Sequence, residues 1–198
     1  MRIIAGQARG RKLRSPDTKG TRPVTDRARE AVFSSIGSWV VDSLVGDLYA
    51  GSGSFGLEAL SRGASSAVFV ENGRKALAAL HHNVSVIGLG GTIIESTVQS
   101  YLDRANHRFH LVFMDPPWDQ PTDQMEDDLA KLDRLVLPNG EVVISRRHTD
   151  RVPDQPETWR VATDKRYGDT RIVRYEKLES DDDGPEDGPT DRIVPGEL

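Results

Sequence analysis

The chain has 198 residues, with 26 Lys and Arg against 31 Asp and Glu, five His and no Cys, so its formal net charge is −5. This length suits one domain with a substantial core, and the lack of cysteine excludes disulfides, thiolate zinc sites and iron–sulfur clusters. The apolar runs are too short to cross a bilayer and the first residues do not form a secretory signal, so we expect a cytoplasmic protein without membrane contact.

Charge is distributed unevenly along the chain. Residues 1–38 hold nine Lys or Arg and three Asp or Glu, for a net +6, whereas residues 39–178 sum to −4 and residues 179–198 to −7. The negative total argues against a nucleic-acid partner, but the basic first segment argues for one. We predict a basic extension at 1–21, a globular domain at 22–178 and a disordered acidic tail at 179–198.

The basic extension is predicted to form a small β-hairpin from two arms, RIIAGQ and RGRKLRS. Clustered cations beside glycine and glutamine suit contacts with RNA phosphates. The predicted RNA-binding residues are Arg2, Arg9, Arg11, Lys12, Arg14, Lys19 and Arg22. The alternative is a solvated charged hairpin with no part in RNA binding.

A helix is predicted next, at 26–36, because its apolar residues recur at helical spacing. Thr25 precedes this helix, within a segment (22–26) that could close over a bound cofactor. A simple helix start explains Thr25 almost as well, so both explanations stay open.

Short apolar runs then alternate with helical patterns. The runs are rich in β-branched and aromatic residues and predict strands at 46–50, 66–70, 91–95, 110–114 and 141–145. Helical spacing predicts helices at 54–62, 73–88 and 122–135. This alternation indicates an α/β fold whose parallel sheet is covered on both faces. Two further alternating runs, joined at Gly168 and Asp169, predict a closing antiparallel hairpin.

The first strand is followed by a glycine loop, Gly51-x-Gly53-x-x-Gly56, that leads into a helix. In this pattern the first glycine permits a tight turn, the second lets the backbone approach a ligand, and the third allows close helix packing. Glu71 ends the next strand, where a carboxylate can bind both hydroxyls of a ribose. We predict a nucleoside-cofactor site here, and the alternative is a glycine turn with a surface glutamate.

Asp47 lies four residues before Gly51, beneath the loop. A carboxylate is unfavourable beside a pyrophosphate but suits the ammonium group of an amino-acid moiety, which favours S-adenosylmethionine over a dinucleotide. The alternative is that Asp47 only binds backbone N–H groups. A P-loop is excluded, since no Gly-Lys-Ser/Thr follows the glycines.

The fourth strand ends in Asp115-Pro116-Pro117-Trp118. The two prolines hold the backbone rigid and keep Asp115 extended. An exocyclic amino group is a poor nucleophile because its lone pair is conjugated with the ring. Two acceptors, the Asp115 carboxylate and the Pro116 carbonyl, can draw it towards a nucleophilic geometry, while Trp118 stacks on a flipped-out base. The alternative is a rigid turn with a tryptophan in the core.

Two further pairs of polar residues are candidate ligands, one for the cofactor and one for a metal ion. Ser96 and Thr97 follow the third strand, where such folds often meet an adenine ring, although Ser and Thr are common after any strand. His81 and His82 lack the spacing of a metal pair on a helix, so we expect no metal site.

Together these segments resemble the bacterial 16S ribosomal RNA guanine-N2 methyltransferases of the RsmD family. The resemblance runs from Arg2 to about Leu178 and rests on RIIAGQARGRKL, RPVTDRAREAVF, DLYAGSGSFGLEALSRGA, VFVE and DPPW, in the family's order and spacing. Two features depart from the expected pattern. Trp118 stands where Phe or Tyr is more usual, which puts the base stacking in question, and the acidic tail is extra.

The resemblance implies a class I S-adenosylmethionine-dependent methyltransferase of Rossmann-like fold, with a mostly parallel seven-stranded sheet and a C-terminal antiparallel hairpin. The implied reaction is methylation of one guanine N2 in 16S rRNA, with residues 115–118 holding the guanine. The expected substrate is the assembled or assembling 30S subunit, and we expect a monomer. The predicted cofactor-binding residues are Asp47, Ala50, Gly51, Ser52, Gly53, Gly56, Glu71, Asn72, Ser96, Thr97 and Thr25.

Three other functions share parts of this pattern. An adenine-N6 methyltransferase acting on DNA would use the same DPPW segment, which suits either amino group. A non-catalytic, cofactor-sensing RNA-binding module is a second alternative, and the intact Asp115 and glycines argue against it. A nicotinamide dehydrogenase shares the glycine loop but does not use DPPW.

Overall fold

Strands and helices alternate along one sheet in the computed structural model, which describes residues 1–16 and 24–179. The strands in these residues are β1 (Leu44–Leu48), β2 (Ser66–Glu71), β3 (Thr92–Glu95), β4 (Phe109–Met114), β5 (Val136–Arg147), β6 (Trp159–Tyr167) and β7 (Thr170–Lys177). They form a seven-stranded sheet in the order β3-β2-β1-β4-β5-β7-β6. Strands β1 to β5 pair in parallel, and β7 pairs antiparallel with β5 and β6. The predicted Rossmann-like sheet with a closing hairpin is confirmed.

Five α-helices in the described residues cover the sheet: α1 (Asp26–Ile36), α2 (Ser54–Ser61), α3 (Arg74–Ile87), α4 (Val98–Arg104) and α5 (Thr122–Leu132). Strand residues alternate between two apolar cores because successive side chains point to opposite faces. In β2, Ala67 and Phe69 join α1, α2 and α3 in one core, whereas Val68 and Val70 join α4 and α5 in the other. Both faces of the sheet are therefore buried, as the continuous apolar runs predict.

The structure corrects several predicted boundaries. β1 begins and ends two residues earlier than predicted, because Tyr49 has a left-handed backbone (φ 61°) that ends the strand. β5 extends well beyond 141–145, and its pairing with β4 shifts register after Phe109. The helix predicted at 122–135 ends at Leu132 and continues as a 3₁₀ turn. No pattern predicts α4, because seven residues are too few to show a helical period.

The described part of the basic extension packs against α2 and α3. A β-bridge joins Arg2 and Lys12. Glu58, a fully buried carboxylate on α2, accepts hydrogen bonds from two successive N–H groups of the extension at 2.7 and 3.0 Å. Asn83 on α3 bonds both backbone groups of Arg14 at 2.8 and 2.9 Å. This part of the extension is therefore fixed to the domain, and the boundary predicted at residue 21 stays a prediction.

Some predictions fall on parts of the chain that the structure does not describe. Residues 17–23 and 180–198 contain Lys19, Arg22 and nearly all of the predicted acidic tail. In the described ranges, none of the helices is both long and apolar enough to cross a membrane. The same ranges hold no group of three or more His, Asp or Glu side chains placed to bind a metal ion.

Candidate functional site

The carboxyl ends of β1 and β4 meet where the strand order of the sheet reverses. β2 and β3 lie on one side of β1, and β4 and β5 lie on the other. Leu48 pairs with both Val70 and Met114, so the residues after these three strands share one edge of the sheet. Open α/β sheets bind ligands in the crevice at this point. The crevice brings together the glycine loop, Glu71 and Asp115.

The glycine loop turns tightly from β1 into α2. Gly51 and Gly53 have left-handed backbone angles, with φ of 58° and 77°, which favour glycine. A side chain on Gly56 would place Cβ 2.4 Å from the Phe69 ring, so this glycine allows α2 to pack on β2 as predicted. A Cβ on Gly53 would lie 2.6 Å from Leu80. Gly53 therefore also serves packing, and its approach to a ligand stays a prediction.

Glu71 holds the glycine loop from the end of β2. One carboxylate oxygen accepts the Gly51 N–H at 2.8 Å, and the other accepts the N–H groups of Asn72 and Gly73 at 2.9 and 2.7 Å. The Ser96 N–H donates to the Glu71 carbonyl at 3.1 Å, which places the end of β3 beside it. A carboxylate has about four lone-pair sites, so the half-buried Glu71 has capacity for a ribose hydroxyl besides these three donors.

Asp47 lies beneath the loop in β1 and is almost fully buried, with 1% of its surface exposed. It accepts the Gly56 N–H at 2.8 Å and so caps the start of α2. Burial raises the pKa of Asp47 well above its usual value, against the lowering effect of the Gly56 hydrogen bond, and the charges of Asp115 and Glu71 raise it further. The observed contact is the backbone-binding alternative, and three acids lie near one another at this edge.

Four more predicted cofactor residues make structural contacts. Thr25 and Thr97 cap α1 and α4, because each hydroxyl oxygen accepts the N–H group three residues along the chain, at 3.2 and 3.1 Å. Ser52 is buried, and its carbonyl accepts from the Asn83 amide at 2.9 Å. The Ala50 N–H donates into β2 at 3.0 Å. The simple helix start that the sequence left open for Thr25 is therefore observed.

Asp115 directly follows β4 and accepts a hydrogen bond from the Ser145 hydroxyl on β5. Burial raises the pKa of Asp115 to about 6, and the Ser145 hydrogen bond opposes this rise because it stabilises the charged carboxylate. At neutral pH the group is ionised but close to its pKa. An ionised carboxylate can accept N–H hydrogen bonds, and a pKa close to neutral lets the same group take up a proton later in a reaction.

The rest of the DPPW segment runs from the core to the surface. Pro116 is buried, Pro117 is exposed and Trp118 is half-buried. The Arg147 guanidinium carbon lies 5.2 Å from the centre of the Trp118 ring, within the range of a cation–π contact. Sequence reasoning missed Ser145 and Arg147, since both come from β5 and no local motif marks them.

A buried polar cluster ties the glycine loop to the DPPW segment. The Tyr49 hydroxyl donates to Asp128 on α5 at 2.6 Å and accepts from the side-chain amides of Gln99 and Gln120 at 2.8 and 2.9 Å. Asp128 is 1% exposed, and both amides also donate to its carboxylate. Burial raises the pKa of Tyr49, and its hydrogen bond to Asp128 raises it further. The sequence gives no signal for this cluster, because its members come from four separate segments.

Replacing Tyr49 by Phe is expected to lower the free energy of unfolding by about 1.5–3 kcal/mol, because the buried Asp128 loses its shortest hydrogen bond. The measurement is urea denaturation at pH 7. Tyr101→Phe is the matched control, since its hydroxyl contacts the neutral ring of His107 at 3.0 Å and a bond between neutral groups contributes about 0.5–1.5 kcal/mol. Equal losses in the two variants would show that the charge of Asp128 is unimportant.

The predicted RNA-binding cations divide into two groups. Arg11 donates to the carbonyls of Val86 and Ile87 at 2.9 and 3.1 Å, so it anchors the extension to the end of α3. This contact gives Arg11 a structural function that the sequence did not predict. Arg11 is nevertheless exposed, and Arg2 lies 4.0 Å from the Asp26 carboxylate. The other described cations of the extension are exposed as well: Arg2, Arg9, Lys12 and Arg14.

Comparison with known proteins identifies similar chains across nearly the whole described region. A family model described as Conserved hypothetical protein 95 matches residues 1–176. The chain is 33% identical over 178 residues to Ribosomal RNA small subunit methyltransferase D of Escherichia coli, covering 89% of this chain and 90% of that protein. It is 32% identical to Putative rRNA methyltransferase YlbH of Bacillus subtilis, with 89% and 99% covered. The solved structure of the Putative methyltransferase yhhF from Escherichia coli matches with a TM-score of 0.81 and 32% identity, over 90% of this chain and 98% of that chain.

Proposed function

Since the chain belongs to the family described as Conserved hypothetical protein 95, the RsmD family, we propose that it is an rRNA methyltransferase that uses S-adenosylmethionine to methylate a guanine N2 in 16S rRNA. One observation carries the proposal. The rigid DPPW segment and the glycine loop follow adjacent strands, β4 and β1, so a base held by Asp115 lies beside a cofactor held by the loop.

The crevice fits S-adenosylmethionine in its charge and its hydrogen-bonding groups. Asp47, Glu71 and Asp115 make this edge negative, and burial and mutual repulsion raise the pKa of Asp47. A ligand with a sulfonium and an ammonium group relieves that repulsion, whereas a pyrophosphate increases it. Glu71 would bind the ribose, and the backbone at Gly51 would lie against the ligand. When bound, S-adenosylmethionine supplies a methyl group that its sulfonium has already activated.

The chain's own part in the reaction is to orient the amino group and accept its proton. The Asp115 carboxylate and the Pro116 carbonyl each accept one N–H of guanine N2, which localises the lone pair on nitrogen. Ser145 keeps Asp115 in place from the neighbouring strand. Asp115 then takes up the proton that the methylated nitrogen releases, as its pKa of about 6 allows. The half-buried Trp118 stacks on the flipped-out guanine.

The proposed partner is the 16S rRNA within an assembled or assembling 30S subunit, bound by the protein as a monomer. Arg2, Arg9, Lys12 and Arg14 would contact phosphates from the anchored extension, and Lys19 and Arg22 would extend that surface. The relatives named as small-subunit rRNA methyltransferases support this partner.

Replacing Glu71 by Ala is expected to weaken S-adenosylmethionine binding roughly 10- to 150-fold, the effect of losing a hydrogen bond to a charged group. Isothermal calorimetry provides the measurement. Glu95→Ala is the matched control, because Glu95 pairs with Glu71 in register but is exposed and contacts His81. Unchanged cofactor affinity in Glu71→Ala would remove this residue from the binding site.

A methyl-transfer assay with three candidate substrates tests the proposed function. The protein is incubated with S-[methyl-³H]adenosylmethionine and, in separate reactions, small ribosomal subunits, naked 16S rRNA and duplex DNA. We expect label in RNA and none in DNA. Label confined to DNA would instead identify an adenine-N6 methyltransferase, and no label in any substrate would identify a non-catalytic module.

A further inference from the structure

A cavity lies between the start of α1 and the turn that joins β6 to β7. It has a volume of about 430 Å³ and is lined by Thr25, Arg27, Ala28, Arg166, Tyr167 and Gly168. We call it the Tyr167 cavity. Its aromatic and cationic residues are Tyr167, Arg27 and Arg166. None of these three belongs to the proposed cofactor site or to the DPPW segment, so they have no function in the proposed reaction so far.

The Tyr167 cavity is linked to the base-holding segment through the register of the sheet. Tyr167 pairs with Thr170 across the β6–β7 hairpin, and Thr170 pairs with Arg147 across β5 and β7. Directly paired residues point to the same face, so these three side chains form a row on the α1 side of the sheet. Two strand spacings separate Arg147 from Tyr167, or about 10 Å. Arg147 in turn contacts Trp118, so the row leads from the proposed guanine site to the cavity.

The chemistry of the cavity suits a nucleotide. Tyr167 is half-buried and packs against the core, which fixes its ring. Arg27 and Arg166 are exposed, and Arg166 is held at the cavity by a hydrogen bond from its Nε to the Gly168 carbonyl at 2.7 Å. The nearby carboxylate of Asp26 is engaged by the buried Arg29 at 3.1 Å. An aromatic ring beside two cations is the combination that proteins use for unpaired RNA bases and their phosphates.

We infer that the Tyr167 cavity binds a nucleotide next to the target guanine in the RNA strand, with its base against the Tyr167 ring and its phosphate against Arg27 and Arg166. The inference rests on the proposed function, because it assigns a second subsite to the same substrate. Arg2 of the basic extension lies beside the start of α1, 4.0 Å from the Asp26 carboxylate, so a nucleotide held in the cavity would continue the RNA contacts proposed for the extension.

The first test compares Tyr167→Ala with Tyr167→Phe. The probe is a fluorescein-labelled, single-stranded 16S rRNA fragment, and its affinity is measured by fluorescence anisotropy without turnover. Tyr167→Ala is expected to weaken binding about 5- to 150-fold, the effect of losing one base–aromatic stack, whereas Tyr167→Phe keeps the ring and binds as the wild type does. Calorimetry with S-adenosylmethionine should give unchanged affinity in both variants, since a loss there would assign the cavity to the cofactor and overturn the inference.

The second test uses surface cations, whose replacement leaves the fold intact. The double variant Arg27→Gln, Arg166→Gln is expected to reduce the slope of log affinity against log salt concentration by about 0.7 to 1.4, for one or two lost phosphate contacts to single-stranded RNA. Arg108→Gln is the matched control, because Arg108 is exposed just before β4, at the opposite edge of the sheet from Asp115. Wild-type affinity and slope in both Tyr167→Ala and the double variant would overturn the inference.

The two proposals fail in distinguishable ways. If the wild-type protein methylates no RNA but binds the fragment in a Tyr167-dependent manner, the subsite stands and the methylation proposal falls. If it methylates RNA normally and the Tyr167 and arginine variants bind and turn over as the wild type does, only the subsite falls.

Discussion

Replacing Asp115 by Ala is expected to lower methyl-transfer turnover about 10²- to 10³-fold while leaving S-adenosylmethionine affinity nearly unchanged. Removing one preorganised polar partner of the reacting group typically has this effect on rate. Asp115 is the only side chain of the DPPW segment that can accept both a hydrogen bond and a proton. Its loss leaves the amino group with the Pro116 carbonyl as acceptor and with no carboxylate to receive the proton.

Single-turnover kinetics with saturating cofactor and RNA measure this effect directly. Asp119→Ala is the matched control, because Asp119 is an exposed carboxylate directly after the DPPW segment. Its turnover should equal that of the wild type. Wild-type turnover in Asp115→Ala would show that positioning of the guanine does not depend on this carboxylate.

The pH profile checks the same prediction by an independent route. Asp115 must be ionised to accept the N–H bond, so turnover should be level above its pKa of about 6 and fall about tenfold per pH unit below it. Ser145 donates to the charged form and so lowers this pKa. Ser145→Ala should therefore raise the pKa and move the acid limb to higher pH. If the acid limb of the pH profile does not move in Ser145→Ala, a group other than Asp115 controls the loss of turnover at low pH.

Replacing Gly6 by Ala is expected to lower the free energy of unfolding by about 3–5 kcal/mol. A Cβ at Gly6 would lie 1.7 Å from the Ser61 carbonyl oxygen on α2, so the extension must lift away from that helix. It would then lose the hydrogen bond from the Gln7 N–H to the Ser61 carbonyl at 2.7 Å and disturb the contacts to Glu58. The strain of a left-handed backbone at an alanine contributes about 1–2 kcal/mol to this loss of stability. Each hydrogen bond that is broken contributes about 0.5–1.5 kcal/mol more.

Gly10→Ala separates the steric clash from the backbone strain. Gly10 has φ of 83°, close to the 81° of Gly6, but a Cβ there would meet nothing within 4 Å. Its replacement should therefore lower the free energy of unfolding by only about 1–2 kcal/mol. Urea denaturation of the two variants measures the difference. Equal destabilisation would contradict the close packing of the extension on α2.

The parts of this molecule that follow local rules could be predicted from the sequence. The glycine loop and Glu71 are marked by their spacing, and the DPPW segment is marked by its rigidity at the end of an apolar strand. The hairpin turn at Gly168 follows from alternation on either side of a glycine, and φ of 63° at this residue confirms it. In each case, a short window of sequence contains the whole signal.

The rest depends on contacts between distant segments. Tyr49 meets Asp128 on α5, 79 residues away, and Arg11 meets the end of α3 at a similar distance along the chain. Charge and composition mark Arg11 as a candidate RNA ligand, but they do not show that the free carbonyls at the end of α3 compete for its guanidinium. Asp47 illustrates the same competition, because the start of α2 has free N–H groups that a buried carboxylate satisfies. A sequence pattern therefore marks Arg11 and Asp47 as functional candidates, but it does not show whether each binds a ligand or a nearby helix end.

Identification of the methylated nucleoside tests the central claim most directly. 16S rRNA from small subunits that lack the modification is treated with the protein and S-adenosylmethionine, digested to nucleosides and analysed by mass spectrometry against standards. We predict N2-methylguanosine as the product, at a level that Asp115→Ala reduces at least about 10²-fold under initial-rate conditions. N6-methyladenosine, or a product formed equally well by the wild type and Asp115→Ala, would contradict the account.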